Sequence, residues 1–171
     1  MLAHVILNAV ALGPLLKSEY DTRSHLWSKP HVRQIESLTR EPIQKAVPAI
    51  LAFLADPDQE VRAYASATLL TRYGRDAEPF FKEALRSTET RIINGVLLAV
   101  EVGRVYRLRD EVRSVAWSAD DRSSQLAAVL TLHSLGDAEG LREILQRHTD
   151  EKVRWTAERM LAEQERLGSG L

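Results

Sequence analysis

The sequence predicts an all-α fold: an α/α superhelical solenoid of about four helix pairs, preceded by an N-terminal helical cap. Three observations carry that expectation. The 171 residues are 44% hydrophobic and 27% charged but only 6% aromatic, and Leu, Ala, Val, Arg and Glu dominate, a mixture rich in good helix formers. Gly74, Gly103, Gly136 and Gly168 each close an apolar segment of helical period, at spacings of 29, 33 and 32 residues. Recurrence at such a period is the signature of a repeat architecture. Between these glycines each stretch reads as two helices joined by a polar break.

Residues 1–44 are the least regular. Met1–Leu12 is apolar but lacks the basic start and cleavage site of a secretion signal, and is too short to span a membrane; it reads as a buried helix. Ser18–Lys29 reads as an irregular loop. Pro30 and Pro42 suit the first turns of helices, one of which is expected from His31 to about Thr39 with Ile35 and Leu38 inward. The segment is either a degenerate repeat capping the array or the divergent part that carries function.

Residues 45–168 hold the array. The first pair is Ala46–Ala55 and Gln59–Tyr73, joined at Asp56-Pro57-Asp58, with Asp58 able to cap the second helix. Ala77–Arg86 and Glu89–Val102 form the second pair, Arg107–Ser118 and Arg122–Leu135 the third, and Ala138–Arg147 and Glu151–Leu167 the fourth. In the second helices, Val61, Ala65 and Leu69, like Val153, Ala157 and Leu161, share one face. No single pair covers that face, and stacked neighbours supply the cover. The closing glycines are expected to turn left-handed, where a Cβ would clash. Residues 169–171 read as a disordered tail.

The stretch Asp56-Pro57-Asp58-Gln59-Glu60-Val61-Arg62, followed by an Ala/Leu-rich helix ending at Gly74, resembles the HEAT-repeat signature of the short bacterial, PBS-lyase-type kind. Asp150-Glu151-Lys152-Val153-Arg154 repeats its Val-Arg element. The middle pairs depart from it: counted back from their glycines, Thr90-Arg91 and Ser123-Ser124 stand at that place. The resemblance covers roughly residues 45–168. It implies a superhelix serving as a scaffold or adaptor, in which Arg62, Arg91 and Arg154 pair with acidic residues of neighbouring repeats as a ladder or face a ligand. The iron-binding HEAT-like hydroxylases are not matched, since no adjacent His-Glu pair occurs. HEAT-like DNA glycosylases are not matched either, since the chain lacks a basic excess and an acidic residue among aromatics.

Chemistry is otherwise sparse. The absence of cysteine excludes disulfides, a thiol nucleophile and Cys-ligated zinc. No nucleotide-binding, metalloprotease or nucleophile-elbow motif occurs. His4, His25, His31, His133 and His148 are scattered without ligand spacing. Asp120-Asp121 and Asp150-Glu151 fall at helix starts, where carboxylates cap amides. Arg104, Arg107, Arg109 and Arg113 are interleaved with Asp110 and Glu111 and read as a solvated face. A net charge of −1 argues against nucleic acid, whose phosphates need clustered cations.

The expected function is therefore non-enzymatic, without cofactor or metal: a cytoplasmic scaffold presenting a concave surface to another protein, away from nucleic acid and membrane. The alternatives are a subunit of a bilin-lyase-type or other enzyme complex, or a regulatory module of a larger enzyme. Tyr and Trp carry large contact energy at interfaces, so the candidate partner-binding residues are Trp27, Tyr64 and Trp155 with Arg62, Arg91 and Arg154.

Overall fold

The computed structural model describes residues 25–168, and every regular element among them is helical. The expectations for Met1–Leu12, for Ser18–Ser24 and for the tail 169–171 lie outside the described residues. The chain divides into two compact units, Met1–Phe81 and Lys82–Leu171, and each is described by itself.

In the N-terminal unit, residues 25–28 form a helical turn where an irregular loop was expected. Then come α1 (Pro30–Leu38), α2 (Ile43–Leu51) continued by a 3-10 turn (Ala52–Ala55), and α3 (Gln59–Thr68). A π turn (Leu69–Tyr73) and a 3-10 turn (Gly74–Ala77) lead into α4 (Glu78–Ala84). Pro42 caps α2, so that helix starts three residues before the expected Ala46. Pro48 lies inside it on an exposed side and has no N–H to give the carbonyl four residues earlier. Val32, Ile35, Val47, Ile50, Val61, Leu69 and Phe81 form the core, while Leu38 stays half-buried.

Helix α1 runs beside α3 in register. Lys29 Nζ meets Asp58 at 2.5 Å, Tyr64 donates its hydroxyl to Glu36, and Arg72 donates to the Thr39 carbonyl at 3.0 Å. Contacts climbing both helices together mean that the two are parallel. Val32 and Val61 are both buried and each is followed by arginine, so Val32-Arg33 repeats Val61-Arg62.

The C-terminal unit holds α5 (Thr90–Gly103), a 3-10 turn (Tyr106–Leu108), α6 (Arg109–Ser118), α7 (Arg122–Ser134), α8 (Ala138–Arg147) and α9 (Glu151–Gly168). Helices α5 and α7 are parallel, through Thr90 to Asp121 at 3.0 Å and Ser134 to Glu101 at 2.9 Å. Helices α7 and α9 follow suit, through Arg122 to Asp150 at 2.8 Å and Gln164 to the His133 carbonyl at 2.8 Å. Helix α6 packs on α7 and α8 on α9. The inner face places Val153 and Ala157 in the core, with Leu161 half-buried.

The turns inside the pairs repeat one device. Asp56 Oδ1 accepts the Asp58 amide at 2.8 Å, Ser87 Oγ the Glu89 amide at 3.0 Å, and His148 Nδ1 the Asp150 amide at 3.1 Å. The third turn has Ala119, with φ −64° and ψ 132° close to the −68° and 139° of His148 but no side-chain acceptor. There Gln125 reaches back to the Ala119 carbonyl at 2.9 Å, as Arg62 reaches the Asp56 carbonyl at 2.7 Å.

The glycine caps need correction. Gly136 is left-handed at φ 70°, and the amides of Gly136 and Asp137 bond back to His133 and Leu132 at 2.9 Å each, the double bond of a Schellman end. Helix α5 ends the same way one residue later than expected. Gly103 is still helical and Arg104 turns left-handed at φ 47°, with the Val105 amide on Val100 O at 3.0 Å and the Arg104 amide on Glu101 O at 3.1 Å. Gly74 has φ 51° and ψ −118°, a positive φ without the left-handed helical ψ, and Gly168 is the last described residue of α9.

Unequal helix ends shift the register of the Val-Arg element. The buried equivalents are Val61, Ile93, Ser124 and Val153. The residues following them are Arg62, Asn94, Gln125 and Arg154, so Arg91 lies off the pattern. Counting back from glycines failed because a π turn lengthens one helix end and Gly103 falls a residue short of the other.

Candidate protein-binding surface

The expected arginine ladder is replaced by another. Arg62 Nη1 closes its own turn, bonding the carbonyls of Asp56 at 2.7 Å and Pro57 at 3.0 Å. The side chains of Arg91 and Arg154 are exposed and take part in no hydrogen bond or ion pair among the described residues. The rungs are instead the aspartates that cap second helices: Asp58 is held by Lys29, Asp121 by Thr90 and Asp150 by Arg122. A cap aspartate already faces amides, and a donor from the start of the preceding parallel helix completes its shell. The Lys29 ammonium holds the Asp58 carboxyl below its usual range. Burial pushes the Asp121 carboxyl up, but Ser123, Ser124 and Thr90 outweigh it and hold it down at about 2. The Val153 amide, with Arg122, lowers Asp150.

The arginine group before the third pair is not simply solvated. Arg113 grips buried Asp137 through Nε and Nη2, both at 2.6 Å. Burial pushes the Asp137 carboxyl up, yet that guanidinium and the Gly140 amide keep it below the ordinary range. A Cβ at Gly140 would stand 2.5 Å from Asp137 Oδ2, so the pair requires glycine there. Arg109 donates to the Leu135 carbonyl at 3.4 Å.

Of the aromatic candidates, Tyr64 does not reach the surface. It is 5% exposed, and its hydroxyl is spent on Glu36. It follows Val61 by three residues, which puts it on the packed face rather than the free one. Trp27 lies on the helical turn at 25–28 and is 47% exposed. Trp155, on α9, is 52% exposed, with the Arg159 guanidinium 4.7 Å from its ring centroid, a cation–π distance. Trp117 lies against His148, ring centroids 5.3 Å apart. Because His148 Nδ1 accepts an amide, the hydrogen-bond pattern assigns its proton to Nε2, which donates to Ala116 O at 3.1 Å.

The sequence reading missed three other exposed apolar residues on second helices. Leu98 and Val102 on α5 and Leu130 on α7 are large apolar residues left exposed. Leu98 and Leu130 stand 32 residues apart on the parallel helices α5 and α7. Each of the three second helices of this unit thus leaves a large apolar side chain exposed. The signal was present in α5, whose Val96-Leu97-Leu98-Ala99-Val100 run is apolar on more sides than one buried face requires.

Among the described residues, no three His, Asp or Glu side chains converge as metal ligands, and no helix is long and apolar enough to cross a membrane. Comparison with protein-family models, with curated proteins and with solved structures gave no match.

Proposed function

We propose that this chain is a protein-binding scaffold built from HEAT-like helix pairs stacked as a solenoid, with its partner held on the outward face of the second helices. Parallel second helices in each unit support the stacked architecture, as do the recurring turn at Asp56, Ser87 and His148 and the aspartate rungs. The element Val32-Arg33 supports reading α1 as the equivalent of a second helix. The observation that carries the function is the exposure of Leu98, Val102, Leu130 and Trp155 on the second helices α5, α7 and α9. Burial of apolar side chains stabilises by roughly 1.5–3 kcal/mol each, and these four leave that gain to an interface. At the turns, by contrast, the cap aspartates Asp58, Asp121 and Asp150 already have partners within the fold.

A photo-crosslinking residue placed at Leu130 and, as control, at Asp110 on α6 tests the reading in native lysate. A discrete protein adduct at 130 and none at 110 is the expected result. Equal labelling at both positions, or none at either, would remove these residues as the binding surface.

A further inference from the structure

We draw no further inference here: the strongest candidate, the cleft of about 150 Å³ between the turns at 86–90 and 118–121, has Leu85, Ile93 and Val115 as its apolar floor and Arg86 and Asp120 on an exposed rim, and it carries nothing because no buried polar side chain lines it and nothing in the structure selects an occupant.

Discussion

The polar connections at the helix ends and the outward face of the second helices are finished differently. At the ends, cap carboxylates find amides, and side chains from the preceding helix complete them, as at Asp121 with Thr90 and at Asp150 with Arg122. Between those ends, α5, α7 and α9 leave Leu98, Leu130 and Trp155 in water. Satisfied polar groups explain themselves through stability, since each unpaired one is costly. Large apolar groups left exposed do not. The difference separates what holds the fold from what the fold offers to a partner.

Substitutions at the helix ends should therefore cost stability, and the largest cost is expected at Asp137. Asp137→Ala strips a two-point partner from Arg113 and a cap from the Gly140 amide. A broken buried pair costs about 3–5 kcal/mol; Arg113 is 25% exposed, so about 2–3 kcal/mol is expected in urea denaturation. A loss under about 1 kcal/mol would show that the pair is solvated in solution.

Next in size is Asp121→Ala, expected to cost about 1–2 kcal/mol, the worth of an N-cap. It also changes the acid limb. The folded state holds Asp121 at about 2 against an ordinary 3.8, so it binds fewer protons than the unfolded chain near pH 3. The contribution is whole above about pH 4 and is lost as pH falls towards 2. The variant should lose stability less steeply across that window than the native chain, read as unfolding midpoints at successive pH values. An unchanged acid slope would refute the assignment.

Smaller and opposite effects are expected at the two Schellman ends. Arg104→Gly relieves a non-glycine left-handed residue at φ 47° and should stabilise by about 0.5–1 kcal/mol. Gly136→Ala, at φ 70° with open space around its Cβ, should destabilise by about 1 kcal/mol from backbone strain alone. Changes of the same sign in thermal melts would mean that the two ends are not the same motif.

How much was legible follows the same division. Helices defined by periodic apolar residues and Asp caps were placed to within a few residues, because Asp58 and Asp121 cap where capping chemistry requires. Register was not legible from glycines, since a π turn before Gly74 and a left-handed Arg104 each move the helix end by local geometry. The α1 equivalence was available in Val32-Arg33 and lay hidden behind Pro30 and an irregular surrounding sequence. Tyr64 was misjudged because aromatic identity says nothing about facing, whereas its three-residue step from Val61 does. Leu98 and Leu130 were lost among ordinary core leucines, since only the packing reveals which leucines the core leaves out.

The most direct measurement combines Leu98→Lys and Leu130→Lys in one chain carrying a photo-crosslinker at position 155. Because both leucines are exposed, the unfolding midpoint should move by no more than about 0.5 kcal/mol, while the protein adduct formed by the chain with native leucines disappears. An adduct of undiminished yield, or a stability loss of about 2 kcal/mol or more, would contradict the claim that this face is built for a partner.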